Sequence, residues 1–392
     1  MTVPPAISND LKVFPVRTAK QLDLFIRLPR LLYSKYSGYV PPLDFEEKAL
    51  LHPKKSAFFR YGSAQYFLAY KNNEPVGRIS AQIDPNALRQ WKEPIGLFGA
   101  LDAIDDAEVV QQLISTAITW LKKHGMEKIR GPYTLNANSQ AGAMVEGQNE
   151  PPMIAMPWHP QYLVKHIEAA GLFKAMDLVS YQMIMSKEIR QAHKIPSGLK
   201  VGSSRLGNIT TRKLNMKEIS RDGEILRQLY NDAWDDTWGF VPLTPTEMSI
   251  LIRDLKLMLT PDNYVLVEQN KMPVAVALMI PNIFDLSEEV GPSPSIIGWG
   301  KLGYKALRHQ FKSARVILLG ISHSIRDTAM GALIPSLVID ELFNRGEALS
   351  YNMIELGWIL ESNKAMRNLI ERLAPKPCKT HRVFEAQLDC KD

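Results

Sequence analysis

The segment SIRDTAMGA places one arginine and several small residues where an apolar run gives way to an amphipathic one. The apolar run, 314–321, has strand character, and the residues after the segment have helix character. Backbone N–H groups at a helix start attract anions, small residues let a phosphate approach closely, and Arg326 adds positive charge. The pattern predicts a phosphate-binding loop at 326–332, with a helix that begins near Gly331 and holds Pro335 in its first turn.

Two side chains near this loop could accept a proton. Glu355 lies in NMIELGWI, a run that is otherwise apolar and has strand character, so we expect a partly buried carboxylate. His323 stands where the apolar run ends, and an imidazole exchanges a proton near neutral pH. Either group could act as the base that deprotonates an attacking amine. A salt-bridged structural carboxylate is the alternative interpretation of Glu355.

The chain contains two copies of one structural unit. YFLAYKNNEPVGRIS (66–80) and YVLVEQNKMPVAVAL (264–278) share Tyr, Leu, Pro and Val at one constant spacing. Each is typical of two strands joined by a polar, Asn-containing turn. Further matches follow in the same order, such as WLKKHG (120–125) with LFNRG (342–346), both typical of helix ends. This order of matches indicates an internal duplication.

The duplication defines the predicted domains. The polar stretch 186–208 carries Gly, Ser and Pro without an apolar period, as linkers do. We therefore predict domains at 1–195 and 205–392. The order of a two-strand meander, a strand, a helix and another strand predicts an α/β fold with a mixed sheet in each domain. The strand–helix–strand portion requires a parallel crossover inside an otherwise antiparallel sheet.

This order, with a glycine-containing turn opening the central helix, resembles the GNAT fold of acyl-CoA N-acyltransferases. The family's loop, Gln/Arg-x-x-Gly-x-Gly/Ala, wraps the pyrophosphate of the cofactor, and residues 326–331 fit it with Ala329 in place of the first glycine. The resemblance implies coenzyme A or acyl-CoA as the cofactor, with an acyl-carrier protein as an alternative donor. The residues predicted to contact the cofactor are Ile321, Arg326, Asp327, Thr328, Ala329, Met330, Gly331, Ala332 and Asn363.

The resemblance also implies how acyl transfer would proceed. In the family, backbone N–H groups of the splayed fourth strand polarise the thioester carbonyl, and residues 321–323 occupy that place here. Asn363 matches an asparagine that contacts the pantetheine arm. The tyrosine that often protonates the leaving thiolate is replaced by Ile370, so another donor serves or the thiolate leaves unassisted. The resemblance therefore implies an acyltransferase with Glu355 or His323 as the catalytic base.

The first half lacks the cofactor pattern at the corresponding place. LDAIDDAEVV (101–110) crowds carboxylates at a helix start, contains no glycine and would repel a diphosphate. The loop RGPYTLNANSQAGAMVEGQ then offers neutral amides among small residues, which suit an acceptor head group with hydroxyl or amine groups. Ordinary loop composition is the alternative. We predict a degenerate copy that binds the acceptor through Asn136, Asn138, Gln140 and Glu146.

Composition excludes several classes of protein. A chain of 392 residues that is 45% hydrophobic and 22% charged is typical of a globular protein with a proper core. No apolar run approaches the length of a membrane span, and MTVPPAISND lacks the features of a signal peptide. The two cysteines, Cys378 and Cys390, form neither a disulfide framework nor a metal-ligand spacing, so we expect a cytoplasmic protein without a metal. A net charge of +6 favours anionic partners.

One basic segment indicates the substrate class. Residues 299–315 carry five cations interleaved with aromatic and aliphatic residues, which predicts peripheral contact with an anionic membrane, the inner membrane of a bacterium. A helix docked on the core is the alternative. Tandem GNAT proteins of this length include bacterial lipid N-acyltransferases of the ceramide-synthase type, a layout that favours a lipophilic amine acceptor. A FemX-like aminoacyltransferase and a non-catalytic acyl-CoA-binding regulator are also compatible with the sequence, whereas the scattered positive charge argues against nucleic acid as a partner.

Overall fold

A computed structural model of the protein describes residues 11–188 and 208–388. These residues form two compact units. Within the described residues, unit 1 comprises 11–149, 157–176 and 381–388, and unit 2 comprises 150–156, 177–188 and 208–380.

Strands and helices alternate along the first half of the chain. In order they are β1 (Leu11–Pro15), α1 (Ala19–Tyr33), α2 (Asp44–Leu51), β2 (Ser63–Lys71), β3 (Glu74–Ile83), α3 (Pro85–Trp91), β4 (Ile95–Ala103), α4 (Ala107–Lys123), β5 (Lys128–Gly131), β6 (Ala143–Glu146), α5 (Gln161–Ala169) and β7 (Phe173–Ile184).

The second half largely repeats this order, with two helices instead of one between its hairpin and its parallel strands. The elements are β8 (Ile209–Arg212), α6 (Ile219–Trp234), α7 (Pro245–Leu255), β9 (Tyr264–Gln269), β10 (Met272–Pro281), α8 (Phe284–Ser287), α9 (Ile296–Leu307), β11 (Ser313–Ile321), α10 (His323–Arg326), α11 (Ala329–Ala348), β12 (Met353–Leu360), α12 (Lys364–Ile370) and β13 (Lys379–Gln387).

Each unit contains the tight hairpin that the duplicated segments predicted. β2 and β3 are joined through Asn72 and Asn73, and β9 and β10 through Asn270 and Lys271, with φ of 53°, 65°, 50° and 67°. Two successive residues with positive φ form a type I′ turn, whose twist matches that of the flanking strands. The strand–turn–strand prediction is therefore confirmed in both copies.

Each unit has its own mixed sheet. The strand order in unit 1 is β1-β2-β3-β4-β5-β13, and that in unit 2 is β8-β9-β10-β11-β12-β7. β4 pairs with β5, and β11 with β12, in parallel, while the neighbouring pairs are antiparallel. The parallel crossover predicted from the sequence is thus present in each unit, and the predicted mixed-sheet α/β fold is confirmed.

The last strand of each half belongs to the sheet of the other unit. Residues 381–387 of β13 lie beside β5 in unit 1, and residues 177–184 of β7 lie beside β12 in unit 2. The compact units therefore differ from the predicted domains 1–195 and 205–392 in these segments. Most of the predicted linker, 186–208, lies outside the described residues.

The helix after β11 begins earlier than predicted. Thr328 is the N-cap of α11, and its Oγ1 accepts a hydrogen bond from Gly331 N at 3.3 Å, so the helix starts at Ala329. A threonine at this position satisfies a backbone donor that would otherwise lack a partner. The prediction that Pro335 lies in the first turn is wrong, because Pro335 lies farther inside α11. Gly346, which the sequence places at the helix end, lies within α11 and packs against β12.

Within residues 11–188 and 208–388, none of the helices combines the length and apolar character needed to cross a bilayer.

Candidate active site

The parallel strands of unit 2 separate partway along their length. β11 and β12 pair from Ser313–Met353 to Val316–Leu356 and no farther. β11 stays paired with β10 up to Ile321, and β12 stays paired with β7 up to Leu360. Each strand thus follows its outer neighbour, and a wedge opens between the two strands beyond the last shared pair. Residues 326–332, the predicted phosphate-binding loop, follow β11 on the open side of this wedge.

Glu355 lies immediately before the wedge. It is fully buried, and Lys379 Nζ donates to its Oε2 at 2.6 Å. Lys379 is itself buried and also donates to the carbonyl oxygen of Pro151 at 2.7 Å. Glu355 Oε1 has no hydrogen-bond partner among the described residues. The carboxylate is therefore more deeply buried than predicted and is ion-paired through one oxygen, while the other oxygen lacks a partner among the described residues.

Two polar residues stand beside Glu355 on the neighbouring strands, and the first is Arg315. It stands opposite Glu355 in the register of β11 and β12, and Gln182 on β7 stands opposite Glu355 on the other side. Burial lowers the pKa of Arg315 to about 10, although the Glu355 charge acts in the opposite direction. Its guanidinium donates to the carbonyl oxygens of Gly357 and Ile154 and lies 4.5 Å from the centre of the Trp358 ring.

A short segment of unit 2, residues 150–156, is held by the same buried cations. Lys379 binds the carbonyl of Pro151 and Arg315 binds that of Ile154, at 2.7 and 2.8 Å. Asn282 Nδ2 donates to the carbonyl of Pro152 at 3.0 Å. Three buried donors thus fix this segment, and no feature of the sequence indicated that it belongs to unit 2.

Arg326, the residue predicted to bind pyrophosphate, already has protein partners. Its Nη1 lies 3.1 Å from Asp236 Oδ2, and its Nη2 donates to the carbonyl oxygen of Ala233. Asp327, Thr328 and Ala329 are exposed beside it, whereas Met330 is buried. The loop therefore offers the predicted small and exposed residues, but the charge of Arg326 is partly neutralised.

Close packing requires glycine at position 331, in addition to the predicted need for a small residue beside a phosphate. A Cβ atom at this position would lie 2.3 Å from the carbonyl oxygens of both Ile325 and Arg326. The first turn of α11 packs directly on the end of α10, so only glycine fits there.

The backbone donors predicted at residues 321–323 are partly occupied. Ser322 N donates to the carbonyl of Val274 at 2.9 Å, and His323 N donates to Asp232 Oδ2 at 3.0 Å. The imidazole of His323 lies beside Asp235 and Asp236. One ring nitrogen of His323 and one carboxylate oxygen of each aspartate all lie within 4.8 Å of one another. His323 therefore faces an acidic surface cluster.

A tyrosine of β7, Tyr181, hydrogen-bonds to two residues of the last helix of unit 2. Ile370 is buried and Asn363 is the N-cap of α12, accepting from Met366 N. Tyr181 on β7 donates its hydroxyl to Glu371 at 2.6 Å and accepts from Arg367 Nε at 3.1 Å. Sequence reasoning missed Tyr181 and Lys379, since neither belongs to a motif; only their buried polar character could have pointed to them.

The equivalent loop in unit 1 is closed by its own carboxylates. Asp106 is the N-cap of α4, accepts from Glu108 N and lies 2.7 Å from Lys71 Nζ. Asp105 pairs with His166 at the same helix start. Asp102 departs from the prediction, since it lies within β4, buried and paired with an arginine of β3.

The wedge of unit 1 is filled by the chain itself. β4 and β5 pair only from Ile95–Lys128 to Leu97–Arg130. Beyond these pairs the chain stays beside β4, where Tyr133 N donates to the carbonyl of Phe98 at 2.7 Å. The approach is so close that a Cβ on Gly99 would lie 1.7 Å from Tyr133 O. This packing leaves no room for a ligand at that place.

Two of the four predicted acceptor residues contribute to one hydrogen-bonded loop. Asn136 donates to Tyr61 Oη at 3.0 Å, and Gln140 accepts from Thr134 Oγ1 at 3.1 Å. Asn138 is half-buried in the same loop. Glu146, by contrast, is the exposed last residue of β6.

The basic segment 299–315 is divided between two environments. Phe311 and Arg315 are buried, so the part that could lie on a membrane is α9 and Arg308. The positive charge of Lys305 is paired with Glu289 at 2.6 Å. The prediction that all of 299–315 forms one interfacial segment is therefore wrong, because the strand β11 draws its last residues into the sheet.

Solved structures with the same architecture identify the fold. The chain is similar to a tandem GNAT protein from the clavulanic acid biosynthesis pathway (TM-score 0.57, 10% identity, 98% of this chain and 100% of that chain). It is also similar to a GCN5-related N-acetyltransferase from Sphaerobacter thermophilus (TM-score 0.53, 9% identity, 99% and 98%). The fold and the splayed parallel strands define a tandem GNAT fold, as the sequence predicted.

Sequence relatives place the chain in one family within that class. It is 32% identical over 382 residues to the bacterial ceramide synthase of Caulobacter vibrioides, covering 97% of this chain and 98% of that protein. It is 32% identical over 367 residues to protein YghO of Escherichia coli, covering 94% and 93%. The chain belongs to the family of these two proteins. No protein-family model matches the sequence.

Proposed function

We propose that the protein transfers an acyl group from acyl-CoA to the primary amine of a long-chain, lipophilic acceptor. The observation that carries this proposal is the wedge between β11 and β12, which opens beside a buried carboxylate and leads to a helix N-terminus. Similarity to bacterial ceramide synthase over 97% of the chain supports a lipid amine as acceptor.

The cofactor would use the open side of the wedge and the loop after β11. The N-terminus of α11 presents backbone donors to a pyrophosphate, and Thr328 and Ala329 are exposed there. Arg326 would exchange Asp236 for the pyrophosphate, because a diphosphate carries more negative charge than one carboxylate. Asn363 would contact the pantetheine arm.

The chemical step needs one proton acceptor and one proton donor. The amine nitrogen attacks the thioester carbonyl carbon, the new C–N bond forms, the C–S bond breaks, and the thiolate leaves. We infer that Glu355 Oε1 takes the proton from the amine, with His323 as the alternative base. Tyr181 is the candidate donor to the thiolate, in place of the tyrosine that Ile370 replaces.

Membrane contact through α9 would bring the protein to a lipophilic acceptor. Ile296, Ile297 and Leu307 are 91%, 74% and 75% exposed, and Ile296 and Leu307 lie on the same side of the helix. Lys301 and Arg308 are exposed cations beside this apolar face. A helix whose apolar side points outward, flanked by cations, suits the interface of an anionic membrane.

The function is tested with the full-length protein, palmitoyl-CoA and two acceptors. Amide formation with sphinganine and with a small soluble amine such as spermidine is followed by mass spectrometry, together with release of the CoA thiol. We expect amide only from sphinganine. Amide from spermidine alone would exclude the lipophilic acceptor, and thiol release without amide would exclude acyl transfer to either amine. Replacing palmitoyl-CoA by palmitoyl-carrier protein decides which donor is used.

The membrane contact is tested by sedimentation with anionic vesicles. Replacing Ile296 and Leu307 by serine should abolish co-sedimentation at low salt. Leu257→Ser is the matched control, since Leu257 is 76% exposed in unit 2 but lies outside α9. Wild-type protein that ignores phosphatidylglycerol vesicles would contradict the contact.

A further inference from the structure

Arg315 in unit 2 is a buried arginine without a carboxylate partner. Its side chain is 2% exposed. The other buried arginines of the described residues each form an ion pair: Arg78 with Asp102, Arg130 with Glu385 and Arg345 with Glu341. Arg315 forms none within residues 11–188 and 208–388, where its partners are two backbone carbonyls and one aromatic ring. A buried cation without a carboxylate partner is unfavourable, so its presence needs an explanation.

The neighbouring buried charges do not compensate this cation. Glu355 stands opposite Arg315 in the register of β11 and β12, but its carboxylate is ion-paired with Lys379 Nζ at 2.6 Å. The three side chains are at most 2% exposed, and two cations with one carboxylate leave one positive charge over. Glu150, which accepts from Gln182 Nε2 at 3.0 Å, is only half-buried, so water screens its charge.

The duplicated unit shows that the fold does not require an arginine at this place. The constant spacing of the duplicated segments matches Gln82 on β3 with Ile280 on β10. Gln82 stands opposite Leu97 on β4. Ile280 stands opposite Arg315 on β11. Leu97 is 0% exposed, so the unit whose wedge is filled by the chain has a buried leucine where the unit with the open wedge has a buried arginine.

The guanidinium of Arg315 lies at the apex of the wedge. Its Nε donates at 3.1 Å to the carbonyl of Gly357, the first residue of β12 beyond the last pair shared with β11. Its Nη1 donates to the carbonyl of Ile154 at 2.8 Å, and its Cζ lies 4.5 Å from the centre of the Trp358 ring. These contacts fix the guanidinium and use Nε and Nη1, which leaves Nη2 to donate to a ligand.

The structural contacts of Arg315 do not need its charge. A backbone carbonyl requires a donor, and a neutral amide is sufficient. Asn282 Nδ2 shows this in the same segment, since it donates to the carbonyl of Pro152 at 3.0 Å. The positive charge of Arg315 is therefore additional to its role in holding residues 150–156, and negative charge that arrives at the apex would compensate it.

Acyl transfer develops negative charge at one atom. When the amine nitrogen attacks the thioester carbon, the π electrons of the C=O bond move to the oxygen. That oxygen carries the charge until the C=O bond re-forms and the C–S bond breaks. The backbone donors predicted for this role, at residues 321–323, are partly occupied by Val274 O and Asp232. A fixed cation in a dry site stabilises such a charge strongly, because little water screens it.

We propose that Arg315 is a catalytic residue that stabilises this oxyanion, with Nη2 donating to the thioester oxygen at the apex of the wedge. The assignment rests on the proposed function, which places the thioester in the wedge. Two neighbouring strands then supply two different groups: Glu355 on β12 takes the proton of the amine, and Arg315 on β11 stabilises the charge on the oxygen.

The assignment is tested by infrared spectroscopy of the full-length protein with palmitoyl-CoA, without an acceptor. The thioester carbonyl is labelled with carbon-13, so that its band is separated from the protein bands. Donation from a cation weakens the C=O bond, and we expect the labelled band at lower wavenumber in the complex than in free palmitoyl-CoA. A band at the free wavenumber in the wild-type complex would overturn the proposal without any variant.

Arg315→Gln separates the charge from the structural contacts. Glutamine is neutral but can still donate to the carbonyl of Ile154. We expect the band to return to the free wavenumber and amide formation to slow at least about a hundredfold, with the affinity for coenzyme A unchanged. Arg315→Lys keeps the charge and should retain part of the band shift. Arg345→Gln is the matched control, because it removes a buried arginine paired with Glu341 and should lower the melting temperature without moving the band.

The outcomes distinguish this role from the proposed function. Amide formation at the wild-type rate in Arg315→Gln, with an unmoved band, would overturn the role of Arg315 and keep acyl transfer. A lowered band that depends on Arg315, without amide from either amine, would keep the role of Arg315 at the thioester and overturn the proposed acceptor.

Discussion

Replacing Glu355 with glutamine tests whether this carboxylate takes part in chemistry or only stabilises unit 2. The substitution keeps the shape of the side chain but removes the charge that Lys379 Nζ meets at 2.6 Å, and the two side chains are 0% and 2% exposed. Breaking a buried pair costs about 3–5 kcal/mol because the remaining charge stays buried. For a unit of this size, that cost lowers the melting temperature by about 6–20 °C. The lower end applies here, since the carbonyl of Pro151 and the glutamine oxygen still accept from Lys379.

A double variant separates the two roles of Glu355. In Glu355→Leu with Lys379→Met, neither charge remains, and an apolar pair of similar volume is often neutral or stabilising by about 1–4 kcal/mol. The melting temperature should therefore return to the wild-type value or exceed it. If Glu355 is the base, the rate of amide formation should stay at least about a hundredfold below wild type in both variants.

Three measurements decide the outcome. Thermal unfolding reports stability, calorimetry with coenzyme A reports the donor site, and mass spectrometry of the amide reports turnover. A double variant with recovered stability and full turnover would show that Glu355 is structural, and His323 or water would then have to be the base. A single variant as stable as wild type would refute the buried ion pair itself.

Three further predictions concern the donor site, the leaving thiolate and pH. Arg326→Glu should weaken coenzyme A binding at least tenfold, about 1.4 kcal/mol, whereas Asp236→Asn should maintain or strengthen it, and calorimetry that finds the opposite order would exclude Arg326 as a pyrophosphate ligand. Tyr181→Phe should slow amide formation from acyl-CoA about a hundredfold. It should leave the rate with an aryl thioester unchanged, because that thiolate needs no proton. If the substitution changes the rate by the same factor with both donors, Tyr181 is excluded as the acid. Burial raises the pKa of Glu46 from 4.5 to about 7, so the folded protein binds an extra proton in this window and its stability falls as the pH rises from 4.5 to 7. Glu46→Gln should flatten that decline in urea unfolding at pH 5 and pH 8, and an unchanged slope would contradict the assignment.

The local elements of the fold were open to prediction because their signals lie within a few residues. The two type I′ hairpins follow from polar turns between alternating strands, and Asp106 caps α4 as an acid at a helix start should. The helix α11 starts two residues earlier than the sequence predicts, because Thr328 is a better cap than the residues near Gly331. The predicted position of Pro335 in the first turn is wrong for the same reason.

The candidate site was only partly predictable, since a motif identifies residues and not their partners. Glu355 and Arg326 were found from their neighbours in the chain. Their ion pairs with Lys379 and Asp236 join residues from separate elements, and no local pattern relates them. The partners change the chemistry, because one carboxylate is deeply buried and the cation of the loop is partly neutralised.

The sequence by itself determined that the chain is a duplicated, mixed-sheet protein, and it predicts a phosphate-binding loop in the second half. Periodicity shows which residues of a strand share a face, and the repeat shows that both halves have the same elements. Tertiary structure alone decided that most of β7 joins the sheet of unit 2 and most of β13 that of unit 1. It also decided that the polar residues of β3 are buried. The physical reason is that any strand edge offers the same backbone donors and acceptors, so the choice of neighbour depends on side chains that meet only after the chain has folded.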